Sequence, residues 1–304
     1  LVRSRGLGDV YKRQDIENKG FEVALNWNDM IRDFNYGINF NLAYNKNEVT
    51  RIANTEGIIH GPSDVLTYGI TEIYRAQVGY PIGYFWGYKT AGVFQNEEQV
   101  AATEAKLSTA APGELIFVDT NGDGAITEDD KTMIGDPNPD YRLGFSLNLG
   151  YKGWDFSVTT NGAFGQQVVK SYRQYLGEPK QNFTTEIYEC WNGEGTSNRL
   201  PKLEGMETSD SWKNFSDIFV EDASYLKVQN ITLGYDFKKL FPKMALTQAR
   251  LYFSVLNAFT ITGYSGMDPE VGASGNDDYS WASGIDLGFY PSPRTFMFGV
   301  NLKF

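Results

Sequence analysis

The last eleven residues of the chain alternate between apolar and mixed side chains, which constrains the fold more than any other segment. The positions between the apolar ones hold methionine, glycine, asparagine and lysine. Because successive side chains of a β-strand point to opposite faces, the segment predicts a strand with one apolar, aromatic face. Such a strand fits the end of a membrane β-barrel or a docked edge of a soluble sandwich. The apolar positions are Phe296, Phe298, Val300, Leu302 and Phe304.

The same alternation recurs upstream. Over 34–45, aromatic and aliphatic residues alternate with four asparagines, a glycine and an alanine. This length matches the roughly ten residues that a tilted strand needs to cross a membrane. Because asparagine is a poor strand former, four on one face indicate a wet surface. Further strands are predicted at 21–28, 143–152, 154–161, 231–237 and 251–255, with turns at 29–33 and Lys152-Gly153 and a bulge between Val228 and Ile231.

Long polar stretches separate these strands, at about 46–77, 96–140, 165–222 and 262–290. Loops of this length are uncommon in compact soluble domains and usually carry function. Short turns at one end of the strands and long loops at the other are typical of outer-membrane barrels. We therefore predict an all-β fold, an antiparallel up-and-down transmembrane β-barrel with long extracellular loops.

The composition restricts the classes of partner and chemistry. The chain has 38 Asp and Glu against 27 Lys and Arg, a net charge of −11, which disfavours a nucleic-acid partner because phosphates require clustered cations. The sequence contains no apolar run of about 20 residues, so it predicts no transmembrane helix. A single cysteine, Cys190, excludes an internal disulfide, and a single histidine, His60, disfavours histidine-based catalysis and multi-histidine metal sites.

Residues 1–14, LVRSRGLGDVYKRQ, differ from the rest of the chain because they show no clear period. They resemble the translated adaptor sequence that contaminates some assembled sequence data. We interpret them as a non-native segment and expect the folded region to span 15–304. A genuine loop is the alternative interpretation.

Residues 119–130 carry the sharpest chemical motif. They match the calcium-loop pattern through its ninth position, with oxygen-bearing side chains at positions 1, 3, 5 and 9 and glycine at position 6. Asp130 stands at position 12, where an EF-hand has glutamate, as in dockerin-type loops. We predict a structural Ca²⁺ site, and an Asx-rich turn without an ion is the alternative. The predicted ligands are Asp119, Asn121, Asp123, Ala125 through its carbonyl, Thr127 and Asp130.

Adjacent carboxylates are the strongest hint of an enzyme. A glycosidase needs two carboxylates that face each other across the scissile bond, and adjacency in a polar loop does not produce that geometry. The sequence also lacks a phosphate loop, a Gly-x-Ser-x-Gly elbow and zinc-ligand spacing. We therefore predict no catalytic residues and no enzyme activity. The adjacent pairs are Glu97-Glu98, Asp129-Asp130 and Asp277-Asp278.

Six segments in order resemble the SusC/RagA-like TonB-dependent outer-membrane transporters, and together they cover about residues 15–304. The resemblance implies a barrel of about 22 strands with a plugged lumen. About eight to ten strands are recognisable here, so the chain resembles the C-terminal part, with the plug and the TonB-engaging region N-terminal to it. The segments are 18–22, 81–88, 135–140, 221–235, 257–270 and 290–295, the last leading into the strand that ends at Phe304.

The resemblance also implies a function and partners. It implies TonB-powered import of oligosaccharides or peptides across the bacterial outer membrane, in contact with outer-membrane lipids and with a SusD-like lipoprotein on the extracellular side. The residue pattern alone leaves two alternatives: a soluble extracellular β-sandwich that binds glycans and carries a structural calcium loop, or an acid–base enzyme. Tyr84, Trp86 and Tyr88 fit either stacking on sugar rings or a role in lining or interface packing.

Overall fold

A computed structural model of the chain describes residues 14–63, 65–66, 70, 72–175, 184–206, 208–271 and 283–304. The strands dominate this part of the molecule. In chain order they are β1 (Gln14–Ile31), β2 (Phe34–Ile52), β3 (Ile58–His60), β4 (Tyr74–Gln77), β5 (Tyr84–Gly87), β6 (Thr90–Val93), β7 (Leu115–Phe117), β8 (Thr132–Gly135), β9 (Tyr141–Tyr151), β10 (Trp154–Phe164), β11 (Gln167–Lys170), β12 (Val220–Asp222), β13 (Tyr225–Asp236), β14 (Gln248–Thr262), β15 (Ile285–Asp286) and β16 (Thr295–Lys303).

Seven strands form one large antiparallel sheet in the order β1-β2-β9-β10-β13-β14-β16. Each strand pairs with the next one of the sheet along the chain, which confirms the predicted antiparallel up-and-down arrangement. Among the described residues the sheet does not close on itself, so β1 and β16 are its edges. Within the described residues the sheet holds seven strands, fewer than the eight to ten expected.

The predicted turns and the predicted bulge are present. Arg32 and Asp33 connect β1 to β2, and Lys152 and Gly153 connect β9 to β10. Lys152 and Gly153 have φ angles of 48° and 97°, as a tight hairpin turn requires. The register of β13 with β14 shifts between Val228 and Asn230, inside the interval where the sequence predicts a bulge.

Three small sheets and several short helices form from the long loops. The small sheets have the orders β12-β11-β15, β3-β4-β5-β8 and β6-β7. No helix in the described segments is long and apolar enough to cross a membrane. Among the described residues, the α-helices are α1 (Glu97–Ala102) and α2 (Asp210–Lys213), and the 3₁₀ turns are Glu128–Asp130, Ser171–Tyr175, Thr185–Glu189, Asp217–Phe219 and Phe237–Lys239.

The long loops pack together into a layer that we call the cap, comprising the described residues of 53–140, 165–224 and 263–294. Its apolar core contains side chains from all three segments, among them Phe85, Trp212 and Ile285. Phe85 and Trp212 are fully buried although 127 positions separate them in the chain. The cap therefore has its own hydrophobic core, separate from the faces of the large sheet.

The proposed boundary at residue 14 falls at the start of the described part. Residues 1–13 lie outside the described residues, and β1 begins at Gln14. The interpretation of 1–14 as a non-native segment stays a prediction.

Candidate functional site

One face of the large sheet is apolar from edge to edge. The register places Leu25 beside Phe40, and Phe40 beside Phe145. At the other edge, Phe253 lies beside Phe298. Leu25 is 61% exposed and Phe298 is 83% exposed, so no protein layer covers these side chains in the described part. An apolar face of this extent marks contact with a membrane or with another protein.

Aromatic side chains stand at both ends of this apolar band. Toward the cap, the Tyr44 ring lies 5.1 Å from that of Tyr141, and at the tight turns the Trp154 ring lies 4.7 Å from that of Tyr235. Ten positions separate Phe34 from Tyr44 on β2, about 33 Å of strand, which a 45° tilt reduces to about 23 Å. This height matches the roughly 25 Å apolar belt of membrane barrels, which aromatic girdles flank.

The opposite face of the same strands is polar. Ser146 lies between Asn39 and Thr159 in the register. Further along the sheet, the hydroxyl oxygens of Thr232 and Ser254 are 2.7 Å apart. Since hydroxyl and amide groups prefer water or one another to hydrocarbon, this face suits an aqueous space. The structure thus confirms the wet face that the asparagines predict.

Glycines on the polar face accommodate the asparagine side chains of neighbouring strands. A Cβ atom at Gly144 would lie 2.0 Å from Oδ1 of Asn41, and one at Gly150 would lie 1.9 Å from Oδ1 of Asn35. The amides therefore lie flat over the adjacent strand at these points. Alternation in the sequence places these glycines and asparagines on the polar face of their own strands, but which of them meet follows only from the strand register.

A cavity of about 690 Å³ opens on the polar face near the tight turns. Asp155, in its wall, binds Arg250 through two hydrogen bonds of 2.8 and 2.5 Å. Their pairing satisfies both charges, while Asp29 and Asp33 also line the cavity. Its lining includes Asn28, Asn35, Asn148, Asp155 and Ser157.

A buried network of charges joins the loops of the cap. Arg173 is fully buried and forms ion pairs with Glu186, at 2.6 Å, and with Glu221. Lys170 lies 3.0 Å from the same Glu186 carboxylate and 2.8 Å from the Ser265 hydroxyl. Burial opposes ionisation of Glu186, but the hydrogen bond and charge of Arg173 hold its pKa below the usual range. The network holds four loop segments together, and its members Glu221 and Ser265 also line an open cavity of about 340 Å³.

The side chain of His60 binds two carboxylates within the cap. Its ring nitrogens lie 3.1 Å from the carboxylates of Glu56 and Glu72. Glu72 also binds Arg75, whose guanidinium lies 3.9 Å from the ring centre of Trp86. The hydrogen bond to Glu72 is the main cause of a raised His60 pKa. The histidine, at the end of β3, therefore connects the two sides of the β3–β4 hairpin.

The predicted calcium loop folds through hydrogen bonds between its side chains and its backbone. The Asp119 carboxylate accepts from the N–H groups of Gly122 and Gly124, at 2.6 and 2.8 Å. Asn121 Oδ1 accepts from the N–H of Asp123, whose own carboxylate accepts from the N–H of Ala125. These contacts form successive Asx turns that orient side-chain oxygens around a tight loop.

Asp130, the predicted last ligand, is buried inside the loop. Its carboxylate accepts from the backbone N–H groups of Thr120 and Thr127, each at 2.8 Å. Burial opposes ionisation of Asp130, but the hydrogen bonds from Thr127 and Thr120 hold its pKa below the usual range. Within the described ranges, no group of three or more His, Cys, Asp or Glu side chains is arranged to hold a metal ion. The carboxylates of Asp119, Asp123 and Asp130 are thus not gathered into one cluster.

Two of the three aromatic residues considered for sugar stacking are part of the cap interior. Tyr84 is fully buried and its hydroxyl donates to Gln77 at 2.6 Å. Tyr88 is buried against Phe117, with ring centres 5.2 Å apart. Trp86 is half-buried, and Arg75 covers one face of its ring. Packing is therefore the role of Tyr84 and Tyr88.

The adjacent carboxylates do not form a catalytic pair among the described residues. Glu97 and Glu98 lie exposed in the first turn of α1, and Asp129 is exposed while Asp130 is buried. Asp277-Asp278 lies outside the described residues. Neither Glu97-Glu98 nor Asp129-Asp130 therefore has two carboxylates facing each other across a cavity, the geometry that glycoside hydrolysis needs.

Sequence comparison identifies curated relatives along almost the whole chain, although no protein-family profile matches it. It is 32% identical over 297 residues to TonB-dependent receptor P3 of Formosa agariphila, covering 95% of this chain and 29% of that receptor. It is 28% identical over 295 residues to TonB-dependent receptor SusC of Bacteroides thetaiotaomicron, covering 95% of this chain and 26% of SusC. The chain thus spans less than a third of the length of these relatives.

Solved structures share the fold. The chain superposes on the RagAB peptide transporter with a TM-score of 0.70 at 20% identity, covering 95% of this chain and 30% of that chain. It superposes on the RagAB peptide importer in the open-open state with a TM-score of 0.69 at 21% identity, covering 96% and 29%. The open seven-stranded sheet therefore corresponds to part of a receptor barrel. Over 95% of its length the chain is thus similar to TonB-dependent receptors, SusC among them.

Proposed function

We propose that this chain is part of an outer-membrane active transporter that imports oligosaccharides or peptides with energy supplied through TonB. The observation that supports the proposal is the register of the large sheet, which aligns apolar side chains on one face and polar side chains on the other across seven strands. Hydrocarbon solvates the first face and water the second. The polar face then lines the route of a hydrophilic cargo.

The partners follow from the same proposal. The cap lies at the end of the strands that carries the long loops, which is the extracellular end in membrane barrels. A SusD-like surface lipoprotein would contact the cap, and the TonB complex would act on the receptor region N-terminal to this chain. The cargo classes, oligosaccharide or peptide, are inferred from resemblance. Among the similar structures, those of RagAB are of a peptide transporter and a peptide importer.

The alternative, a soluble β-sandwich, requires that the apolar face be covered by protein. A sandwich needs a second sheet packed about 10 Å from the first, over side chains such as Leu25 and Phe298. Both side chains are exposed in the described part of the chain. The apolar face therefore supports a membrane barrel over the glycan-binding sandwich.

Uptake by cells that carry the full-length receptor tests the function. Labelled oligosaccharides and peptides of matched size are supplied to cells with and without a working TonB, and cell-associated label is measured. We expect one cargo class to accumulate only when both the receptor and TonB are present. Recovery of the receptor outside the outer-membrane fraction, or TonB-independent accumulation of both cargoes, would contradict the proposal.

We also propose that the loop at 119–130 binds Ca²⁺ as a structural ion. In support, each carboxylate oxygen of Asp119 and Asp123 that accepts one N–H keeps a second lone pair for a cation. Ca²⁺ accepts such mixed oxygen ligands and would stiffen the loop. Calorimetric titration of the receptor with Ca²⁺ should show heat that Asp119→Ala and Asp123→Ala abolish and that Asp129→Ala, a neighbouring exposed carboxylate, preserves. Equal heats in all four proteins would refute the site.

A further inference from the structure

An apolar groove of about 410 Å³ lies on the apolar face of the large sheet, near the tight turns. The groove runs over β13, β14 and β16, and its walls are almost wholly carbon. Its position within the apolar band makes it continuous with the face that hydrocarbon would contact. The main lining residues are Trp154, Leu233, Tyr235, Phe237, Phe253 and Phe298.

The connection between β13 and β14 places a cationic turn beside this groove. Residues 237–247 contain three lysines and no acidic residue, in a chain whose net charge is −11. In the same turn, Leu240 and Phe241 are 58% and 54% exposed. Exposed apolar side chains flanked by lysines are typical of segments that lie at a membrane surface. The lysines are Lys238, Lys239 and Lys243.

Packing fixes the turn against the groove. The Phe237 ring meets the Tyr235 ring edge-on, with centres 5.1 Å apart, and Tyr235 in turn contacts Trp154 at 4.7 Å. The stem of Lys239 lies over the β9–β10 turn, where a Cβ atom at Gly153 would be 3.0 Å from Lys239 Cγ and 3.2 Å from the Tyr235 ring. The aromatic wall of the groove therefore leads directly to the lysine turn.

The nearby carboxylates do not neutralise these lysines. Asp236 accepts from the backbone N–H groups of Lys238 and Ala249, at 3.0 and 3.1 Å. Asp155 is paired with Arg250. Within the described segments, neither Lys239 nor Lys243 has a carboxylate within ion-pair distance. Their charges are consequently available to an external anion.

We propose that this corner of the sheet binds an anionic phospholipid, with an acyl chain in the groove and the headgroup phosphate at Lys239 and Lys243. The inference rests on the proposed membrane location and adds a preferred lipid class at one site. Each lysine near an anionic membrane surface contributes about fivefold in affinity. Apolar area alone would not distinguish charged from neutral lipids, so the lysines supply the preference.

Lipid retention by the full-length receptor tests the proposal. The receptor is reconstituted in vesicles of phosphatidylethanolamine with a minor share of phosphatidylglycerol, extracted in mild detergent, and analysed by native mass spectrometry for the lipids that stay bound. We expect enrichment of phosphatidylglycerol over phosphatidylethanolamine. The double substitution Lys239→Gln with Lys243→Gln should reduce the enrichment about thirtyfold. The matched control, Lys46→Gln with Lys89→Gln at the cap end, should leave it unchanged.

A second variant tests the groove independently of charge. Leu233→Trp fills the groove while keeping all lysines and should also reduce phosphatidylglycerol retention, with heat-modifiable gel mobility confirming that the barrel has folded. Equal retention of both lipids by the parent receptor, or equal loss in the control pair, would overturn the inference. A receptor mass that corresponds to two copies without lipid would assign the groove to self-association instead. A receptor that fails to enter vesicles would instead contradict the proposed transport function.

Discussion

Tyr252 on β14 lies over Gly299 on β16, its partner in the sheet register. A Cβ atom at Gly299 would lie 2.1 Å from the Tyr252 ring, so the glycine leaves the space that the ring occupies. This pair joins the last strand of the sheet to its neighbour on the polar face. The apolar contact between Phe253 and Phe298 joins the same two strands on the opposite face.

Replacement of Gly299 by alanine should destabilise the receptor. The added methyl group displaces the Tyr252 ring, and overpacking of this kind costs about 1–3 kcal/mol. Urea unfolding of the reconstituted receptor measures the change. Gly263→Ala is the control, because a Cβ atom at Gly263 meets no atom within 4 Å. If both substitutions change the free energy of unfolding equally, Tyr252 does not occupy the position described.

A charge on the apolar face should cost far more than the same charge on the polar face. Leu147 and Ser146 are neighbours at the middle of β9 and point to opposite faces. Leu147→Lys should lower the free energy of unfolding in a bilayer by about 2–4 kcal/mol, the cost of a lysine at the membrane midplane. Ser146→Lys should cost less than about 1 kcal/mol, because its face contacts water. Comparable losses in the two variants would argue against a lipid-facing side.

The ion network of the cap should be sensitive to loss of a single partner. Arg173→Met leaves Glu186 and Glu221 buried without their main counter-charge, and removal of one member of a buried pair costs about 3–5 kcal/mol. The control Lys89→Met removes an exposed cation of the cap and should have a small effect. Protease susceptibility of the cap, measured in intact cells, distinguishes the two. Equal cleavage rates would show that Arg173 does not hold the loops together.

The hairpin around His60 should make the cap slightly more stable at low pH. The folded pKa of His60 is raised, so its contribution is fully present below the unfolded value of about 6.5 and is lost as the pH rises through the folded pKa. The melting temperature of the receptor, measured between about pH 5.5 and pH 8.5, should fall more steeply than that of His60→Gln. Parallel profiles would remove His60 from the pH dependence.

The sequence predicted the parts of this fold that depend on local alternation. The strands of the large sheet, the Lys152-Gly153 turn and the bulge after Val228 follow from side-chain periodicity and turn chemistry. The cap does not follow, because contacts such as Phe85 with the core around Trp212 join residues far apart in the chain. For the same reason the burial of Tyr84 and Tyr88, two residues considered for stacking on sugar rings, was not predictable from their spacing.

The structure of the candidate calcium loop was also only partly predictable from the sequence. Its residue types predicted the tight turns, but the burial of Asp130 against the N–H groups of Thr120 and Thr127 depends on how the loop closes in three dimensions. The glycines opposite Asn35 and Asn41 likewise required the strand register. In both places the sequence identified the polar groups, and the structure identified their partners.

The most direct test of a membrane-spanning sheet is to measure whether hydrocarbon or water contacts each face of β9. Single spin labels are placed by Leu147→Cys or Ser146→Cys in a full-length receptor in which the cysteine corresponding to buried Cys190 is replaced by serine. Collision rates with oxygen, which dissolves in hydrocarbon, and with a water-soluble nickel chelate are then measured in bilayers. A membrane-spanning sheet predicts high oxygen and low nickel accessibility at position 147 and the reverse at position 146. Low accessibility to both reagents at position 147 would mean that protein covers the apolar face, and would contradict a membrane-spanning sheet.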